Sequence, residues 1–367
     1  MKNKPYIPQK LPIEINYLEF IKDIADANRA LGRLDGLLIH LPNPRLLGKT
    51  LLTKEAVLSS RIEGTRATIN DIFEFEAKND GYGKETETRD IHEILNYRKA
   101  LDFGIRSLKN SPLSENLIKR LHRILLNSGR GQSNAPGEFR KTQVWIGNYS
   151  SSLETASYIP PPPNEIIPLF SNLEKYINSD SEKSELVQIA MAHYQFEAIH
   201  PFLDGNGRVG RLLISLFLYE RKLLSHPFLY LSEFFEKNRS DYYSLLKNVS
   251  EKQDWGSWIS FFMKGLNIQA IKTEKIAREI LQLYDDYKEK ITEIRSMYAI
   301  KLLEIIFIYP VFSFSLIKDK IAIKNDQTIL NLIKKFVEAG LIDNVFKDAK
   351  RNKLYKFTKL YEILKEN

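Results

Sequence analysis

Apolar positions recur at helical spacing along most of the first 130 residues. This spacing predicts four amphipathic helices, over 20–38, 53–64, 87–108 and 114–129. Gly64 is predicted to end the second helix, and Ser114 to cap the N-terminus of the fourth. The first part of the chain, 1–110, is therefore predicted to be a helical region.

The helical pattern stops over 130–166, a stretch rich in glycine and serine that contains four consecutive prolines. Within it, the segments KTQVWIG and ASYIP have strand-like composition and are separated by a polar turn. The pattern predicts a small, exposed β-hairpin inside an otherwise helical protein. A long non-helical segment in such a setting is more often functional than accidental.

Helical spacing then returns over 166–178, 184–199, 208–222, 239–249 and 255–266, and as one long charged helix over 269–295. The last seventy residues predict three helices and two strand-like runs that flank a basic turn at 347–353. This combination resembles a winged helix-turn-helix domain. The predicted architecture is mainly α, with a helical core over 111–268, a connecting helix over 269–297 and a winged-helix-like domain over 298–367.

Composition narrows the classes of protein that fit. The 367 residues are 43% hydrophobic and 27% charged, which is typical of a globular protein. The absence of cysteine excludes disulfides, thiolate zinc sites and a cysteine nucleophile. The basic N-terminus has no apolar segment behind it, and the apolar run 302–312 is too short to span a bilayer. We therefore expect no signal peptide, no membrane partner and a cytoplasmic location.

The segment HPFLDGNGRVGR, residues 200–211, lies between two predicted helices and carries most of the candidate chemistry. A turn that leads into a helix presents unpaired backbone N–H groups and the positive end of the helix dipole. Gly205 and Gly207 let the backbone adopt unusual dihedral angles and let an anion approach closely. The turn is therefore predicted to be a phosphate cradle.

The side chains around this turn suit the same chemistry. Arg208 and Arg211 lie three positions apart on one helix, and the arginine fork matches phosphate geometry. Asp204 offers a hard oxygen ligand of the kind that Mg²⁺ prefers, and His200 is a base that titrates near neutral pH. The similar segment HPFLY, which begins at His226, has no acid, glycine pair or arginine after it, so that histidine is predicted to be structural.

The segment HPFLDGNGRVGR matches in full the signature of the Fic family, and the resemblance extends over 111–268. The segments GEFRKTQVWIG and YIPPPP resemble the flap with which this family aligns its targets. The family implies a helical core and transfer of AMP from ATP to a Ser, Thr or Tyr hydroxyl. The flap residues implied to dock the target are Thr142, Gln143, Val144, Trp145 and Ile146.

The resemblance also assigns roles to single residues. His200 would be the catalytic base, and Asp204 would hold Mg²⁺, or Mn²⁺, against the phosphates. The residues implied to bind the nucleotide are Gly205, Asn206, Gly207, Arg208, Val209, Gly210 and Arg211. Glycine at 207 resembles the AMP-transferring members, although uridylyl transfer stays open. Tyr242 and Tyr243 fall where members place adenine-pocket residues, with a place in the core as the alternative.

A second resemblance lies in SSRIEGT, residues 59–65. Ser59 and Glu63 are four positions apart on one helical face, an arrangement that is usually a solvated surface. The family, however, has an inhibitory helix whose pattern Ser59, Glu63 and Gly64 match, and the helix at about 53–64 would be its counterpart. Glu63 would pair with Arg211 and take the place of the γ-phosphate.

The sequence therefore predicts an AMP transferase that is inhibited by its own N-terminal helix and modifies a target protein or itself. Removal of AMP from modified proteins at the same site is the nearest alternative. The net charge of +8 and the basic turn at 347–353 favour a different alternative, a DNA-binding regulator. The winged-helix-like domain could equally dock a protein or form a homodimer. The target protein, the natural nucleotide and the oligomeric state stay open.

Overall fold

The structure is a computed structural model that describes residues 4–41, 43–78, 85–128, 131, 133–147, 152, 154–345 and 353–365. Its helices are α1 (Ile21–Ile39), α2 (Arg45–Ile62), α3 (Ile69–Lys78), α4 (Glu85–Ser107), α5 (Glu115–Leu125), α6 (Pro163–Ile177), α7 (Glu185–Ile199), α8 (Asn206–Glu220), α9 (Ser232–Lys237), α10 (Arg239–Lys252), α11 (Trp255–Lys290), α12 (Ala299–Ile308), α13 (Phe314–Lys320), α14 (Asp326–Glu338) and α15 (Thr358–Lys365). The strands are β1 (Val311–Ser313), β2 (Asp343–Asn344) and β3 (Leu354–Lys356). The prediction of a mainly α protein is confirmed.

The helices α7 and α8 form the centre of the molecule. Both are buried on nearly every side, which is the property of a core helix rather than of a surface helix with one apolar stripe. They pack against each other and are joined by residues 200–205. The loop between them therefore lies where two buried helix ends meet.

The helix α5 forms where the sequence predicts it. The hydroxyl of Ser114 accepts a hydrogen bond from the backbone N–H of Leu117 at 3.3 Å, which confirms the predicted N-cap. The apolar stripe, which includes Leu121 and Leu125, is buried against neighbouring helices. This helix carries His122 into the core below the 200–205 loop.

The packing of the N-terminal helices brings α2 to the 200–211 segment. The helix α2 packs on α4 and α9 and touches α8, and twelve of its eighteen residues are buried. Such extensive burial is inconsistent with a solvated face. The helices α3 and α9 were not predicted. The helix α9 has six residues, too few to show a helical period, whereas α3 has ten residues with apolar positions at helical spacing and was missed.

The predicted hairpin is present in reduced form. One antiparallel bridge joins Ile146 to Tyr158, with the N–H of Ile146 donating to the carbonyl of Tyr158 at 2.8 Å. We call residues 140–161 the flap. Its two arms flank the end of α7.

The C-terminal part combines helices α12 to α15 with a three-stranded antiparallel sheet of order β1-β3-β2. Strand β1 and helix α15 were not predicted, and the basic turn at 347–353 lies outside the described residues except for Lys353. The helix α11 runs without a break through residue 268, where the sequence analysis ended the core. The helix α12 packs on α2, and β1 packs on α3. No described helix has the length and apolar character needed to cross a membrane.

We predict that Ser114→Ala lowers the free energy of unfolding by about 1 kcal/mol, because the first turn of α5 loses its side-chain cap. Urea denaturation monitored by circular dichroism measures the change. Ser111→Ala, the same substitution at an exposed position just upstream, is the control and should leave stability unaltered. Equal effects in the two variants would contradict a specific capping role.

Candidate active site

The side chains of His200 and Arg211, at the two ends of the 200–211 segment, face a cavity of about 820 Å³. Five parts of the fold form its walls: the C-terminal end of α2, the flap, the end of α7, the start of α8, and α10. Its lining includes Glu63, Trp145, Glu197, His200, Gly207 and Arg211.

His200 caps the C-terminus of α7 in the left-handed region, with φ of 48° and ψ of 60°. Its side chain is half-buried, and its Nδ1 atom has no hydrogen-bond partner in the described part of the chain. Burial, together with the positive charge of Arg140, lowers the pKa of His200 to about 4. The imidazole is therefore neutral at pH 7 and can accept a proton.

The loop after His200 is held by its own polar groups. The Asn206 amide accepts from the N–H of Phe202 and donates to the carbonyl of the same residue, both at 2.9 Å. The carboxylate of Asp204 accepts from the N–H of Gly205 at 2.6 Å. Gly205 has φ of 76°, which other residues adopt at a cost. The side chain of Asn206 therefore shapes the loop and does not face an anion.

The start of α8 offers an anion site. The backbone N–H groups of Asn206, Gly207 and Arg208 make no hydrogen bond within the described residues, whereas that of Val209 already donates to the carbonyl of Gly205 at 3.0 Å. Three free N–H groups at a helix N-terminus attract negative charge. The predicted cradle is thus formed by backbone atoms at residues 206–208.

Arg211 is held by the end of α2. Its Nε donates to the hydroxyl of Ser59 at 2.8 Å, and its Nη2 donates to the carbonyl of Ser59 at 3.0 Å. The same Nη2 contacts Oε1 of Glu63 at 2.7 Å. Three contacts from one helix to an arginine that is almost fully buried fix α2 against α8.

The carboxylate of Glu63 lies directly over the cradle. A Cβ atom placed on Gly207 would be 2.4 Å from Oε1 of Glu63 and 2.9 Å from Nη1 of Arg211. Burial raises the pKa of Glu63, but the charge of Arg211 outweighs it and holds that pKa below its usual value. Glu63 is therefore a carboxylate anion at the helix N-terminus.

Gly64 explains how α2 ends at this point. It has φ of 92°, and its N–H donates to the carbonyl of Arg61 at 2.9 Å. The N–H of Thr65 donates to the carbonyl of Ser60 at 3.1 Å. These two bonds form a Schellman motif, which requires the left-handed residue that glycine supplies. The predicted helix stop is confirmed, and it orients Glu63 toward the cavity.

Arg208 is held differently from Arg211. Its Nη1 lies 3.4 Å from Oε2 of Glu93, a fully buried residue of α4, and its Nη2 lies 3.4 Å from Oδ1 of Asp204. Thr65 donates to the same Glu93 oxygen at 3.3 Å. Sequence reasoning missed Glu93, because its spacing in α4 is that of an ordinary helical position.

Asp204 can hold a divalent cation next to bound phosphates. Its Oδ1 is occupied by Gly205 and Arg208, while Oδ2 faces Gly131, where an added Cβ atom would be 2.3 Å away. The described residues contain no group of three or more His, Cys, Asp or Glu side chains that could hold a metal. A single carboxylate nevertheless suits Mg²⁺, which keeps several waters and takes further ligands from substrate phosphates.

His122 supports the loop from below and was also missed. The N–H of Gly137 donates to its Nδ1 at 2.7 Å, so its Nε2 carries the proton and donates to the carbonyl of Asp204 at 2.9 Å. Its ring stacks on Phe202 at 3.8 Å. Burial lowers the pKa of His122 to about 4, so the neutral tautomer that makes both bonds persists at pH 7.

Two predicted nucleotide contacts need correction. The side chain of Val209 is fully buried in the core, and its N–H is already bonded, so it does not reach the cradle. Gly210 lies between α8 and α7, where its carbonyl accepts from Nδ1 of His193 at 3.1 Å and where Oε1 of Glu197 occupies the space of a Cβ atom. Both residues serve helix packing.

The tyrosine pair of α10 is divided between core and cavity. Tyr242 is buried, and its hydroxyl donates to Nε2 of His193 at 2.9 Å. Tyr243 is 43% exposed and presents its ring to the cavity. Tyr242 therefore belongs mainly to the core, as the alternative interpretation had it, whereas Tyr243 is the tyrosine that can face a bound base.

The five predicted docking residues lie along the first arm of the flap. Thr142 is exposed, and the side chain of Gln143 crosses to the carbonyl of Pro160 in the second arm at 2.9 Å. Val144 is half-buried, and Ile146 forms the bridge to Tyr158. The ring of Trp145 is 45% exposed and lines the cavity.

Glu197 is a second carboxyl group in the cavity wall that the sequence did not single out as functional. Its Oε1 has no hydrogen-bond partner within the described chain. Burial, together with the charge of Glu63 and against that of Arg211, raises the pKa of Glu197 to about 7. Ionisation of this residue near neutral pH would add a negative charge beside Arg211.

Comparison with known families gives two matches in adjacent parts of the chain. Residues 21–106 match the Fic/DOC family N-terminal region, and residues 112–218 match the Fic/DOC family itself. Together the two matches cover more than half of the chain. They include α2 with Glu63 and the whole 200–211 segment.

Comparison with individual curated proteins gives matches that carry the Fic name. The chain is 35% identical over 136 residues to "Protein adenylyltransferase Fic" of Drosophila grimshawi, which covers 36% of this chain and 25% of that protein. It is 30% identical over 188 residues to the protein of the same name from Drosophila persimilis, covering 49% and 34%. The chain thus matches a quarter to a third of the length of these curated relatives.

Among solved structures, a Fic family protein from Desulfovibrio desulfuricans G20 covers 95% of this chain and 98% of its own, with a TM-score of 0.59 and 21% identity. Fic-1 (residues 134–508) from C. elegans covers 70% and 73%, with a TM-score of 0.55 and 21% identity. At this level of identity the likeness concerns the fold.

We predict that stability falls below about pH 6.5, because His122 and His193 are held neutral in the folded state. Burial lowers the pKa of His193 to about 3, and that of His122 to about 4. In the unfolded chain these histidines bind protons near pH 6.5, and in the folded chain they do not. The free energy of unfolding should therefore fall by about 2 kcal/mol for each histidine between pH 7 and pH 5.

Urea denaturation at pH 7 and at pH 5 measures this loss. His122→Gln and His193→Gln should each reduce the difference between the two pH values, while His40→Gln, at an exposed position, should leave it unaltered. A pH dependence that is the same in all three variants would contradict the assignment.

Proposed function

The chain belongs to the Fic/DOC family, and on that premise we propose that it transfers AMP from ATP to a hydroxyl group of a protein. The observation that carries the proposal is the meeting of a neutral base and an anion cradle across the 200–205 loop. The curated relatives named protein adenylyltransferase support the same reaction class.

In this proposal the target hydroxyl enters the cavity beside His200. Its oxygen attacks the α-phosphorus, its proton passes to the imidazole, and the bond from the α-phosphorus to the bridging oxygen breaks to release pyrophosphate. The lowered pKa of His200 keeps the imidazole neutral before the reaction. The flap would hold the target segment, with Trp145 exposed at the cavity edge.

The phosphates would bind at the start of α8. The free N–H groups of residues 206–208 would face the α- and β-phosphates, and Arg211 would face the γ-phosphate. Asp204 would hold Mg²⁺, which screens the phosphate charge during attack. Arg208 is positioned by Glu93 to support Asp204 from the side.

Glu63 would inhibit this reaction within the same chain. Its carboxylate is bonded to Arg211 and lies over Gly207, where the γ-phosphate needs the same guanidinium and the same space. One guanidinium cannot serve both anions at full strength. ATP would then bind in a pose that does not align the α-phosphate with the incoming hydroxyl.

The C-terminal part is proposed to be a winged-helix-like domain with a docking role. Its helices and its three-stranded sheet support this interpretation. The ammonium group of Lys49 in α2 lies 3.4 Å from the ring centroid of Tyr309, which follows α12. A protein or DNA bound by this domain would therefore act close to the inhibitory helix.

His200→Ala should abolish transfer of label from α-labelled ATP while leaving nucleotide binding intact, because the base is lost and the cradle is not. Filter binding and transfer to protein in a lysate measure the two properties. His226→Ala, the matched control in the other His-Pro-Phe segment, should retain transfer. Equal loss in both variants would overturn the assignment of the base.

Glu63→Gly should raise self-labelling and target labelling roughly ten- to hundredfold, since a charge-assisted contact of about 1.5–3 kcal/mol is removed. It should tighten the binding of ATP more than that of ADP, which lacks a γ-phosphate. Arg61→Gly, at an exposed position in the same helical turn, controls for a weakened helix.

Self-labelling that does not rise in a folded Glu63→Gly protein would refute the inhibitory role. Incubation of AMP-modified protein with both forms tests the reverse chemistry. If the chain with Glu63 removes AMP from modified protein and the Glu63→Gly variant does not, Glu63 instead positions a water molecule for the removal reaction.

A further inference from the structure

Four consecutive backbone carbonyls at the end of α7 are satisfied by the flap. The hydroxyl of Tyr158 donates to the carbonyl of Ala198 at 2.7 Å. The guanidinium of Arg140 donates to the carbonyls of Ile199, at 3.5 Å, and His200, at 2.9 Å. The backbone N–H of Arg140 donates to the carbonyl of the next residue, Pro201, at 2.9 Å.

This arrangement meets a need of the helix end. The last carbonyls of a helix have no partner inside the helix, and a buried carbonyl without a partner costs free energy. His200 leaves the helix through the left-handed region, which an ordinary residue holds only when its surroundings impose it. Bonds to the carbonyls on both sides of its Cα atom impose that conformation.

Arg140 also fixes the flap itself. Its guanidinium donates to the carbonyl of Thr142 in the first arm, at 3.2 Å, and to that of Pro161 in the second arm. One side chain therefore joins both arms of the flap to the backbone of His200. The Arg140 side chain therefore anchors both the flap, which would present the target, and His200, which would take the proton of the target.

The charge of Arg140 is unusually placed. Its side chain is 2% exposed, and it forms no ion pair in the described part of the chain. All its bonds go to neutral carbonyls, so its positive charge is not cancelled by a carboxylate. A buried, uncompensated cation opposes protonation of any base nearby.

We propose that Arg140 is a positioning residue for the transfer reaction, which anchors the flap, holds the backbone of His200 in its left-handed conformation and places a buried positive charge beside the imidazole. This inference rests on the proposed role of His200 as the base. On this proposal Arg140 supports the active site through the backbone of His200, although Arg140 itself contacts no reacting atom.

Other groups act on His200 in the opposite direction. The carboxylates of Glu63, from α2, and Asp204, from the following loop, favour its protonated form, as does the backbone carbonyl of Glu197 in α7. Arg211 of α8 is paired with Glu63 and offsets part of that charge. Arg140 is the cation that faces His200 from the flap, so its removal should raise the pKa of His200, while burial continues to favour the neutral imidazole.

The test compares Arg140→Gln with Arg140→Lys in the Glu63→Gly background, where transfer is not inhibited. In Arg140→Gln the acidic limb of the rate against pH should move up by about 1 pH unit, because a cation is lost. In Arg140→Lys the limb should stay near its original pH, while the maximal rate falls about tenfold or more, because the fork to several carbonyls is lost.

Titration of the His200 Cε1–H signal by NMR, assigned with His200→Ala, gives a reading that does not depend on activity. The pKa of His200 should rise in Arg140→Gln and change little in Arg140→Lys. Lys109→Gln removes a positive charge at an exposed position outside the flap and the cavity, and it should alter neither the pKa nor the rate.

An unmoved pKa in folded Arg140→Gln would overturn the electrostatic part of the proposal, and a full maximal rate in Arg140→Lys would overturn the anchoring part. Failure of the proposed function is a separate result, in which His200→Ala retains transfer. Should Arg140→Gln not fold, the Arg140→Lys rate still decides the anchoring part, and NMR titration of Arg140→Met, another neutral side chain of similar length, decides the electrostatic part.

Discussion

The short connection between two buried helices is the constraint on which the site depends. The last carbonyls of α7 and the first N–H groups of α8 have no partner within their own helices, and six residues join the two ends in the protein core. Buried polar groups of the backbone need partners, and the two helix ends need partners of opposite kind. The flap supplies donors to one end, and Glu63 supplies an anion to the other.

This division explains why catalysis and inhibition would meet at one place. Glu63 contacts Arg211 and lies over Gly207, so a phosphate in the proposed cradle would compete with Glu63 for the same guanidinium. Packing of α2 on α4, α9 and α12 also holds in place the helix that carries Ser59 and is followed by Glu63.

Support for the loop comes from residues distant in the chain. Glu93 holds Arg208, His122 holds the carbonyl of Asp204, and Arg140 holds that of His200. None of these three side chains faces the reacting atoms. Together they fix the conformation of the 200–205 loop. Supporting residues of this kind are how a protein preorganises the groups of a site.

The sequence by itself determined the features that local physics controls. Periodicity located most helices, Ser114 and Gly64 marked helix ends, and the spacing of residues 200–211 defined a cradle, because capping, left-handed turns and helix dipoles act within a few residues. Tertiary structure decided what spacing cannot encode. Glu63 meets Arg211 across 148 positions, which only a family resemblance had suggested, and Arg140 reaches His200 across 60. It also placed Val209 in the core, because packing of α7 against α8, and not the motif, sets which side of a helix faces the cavity.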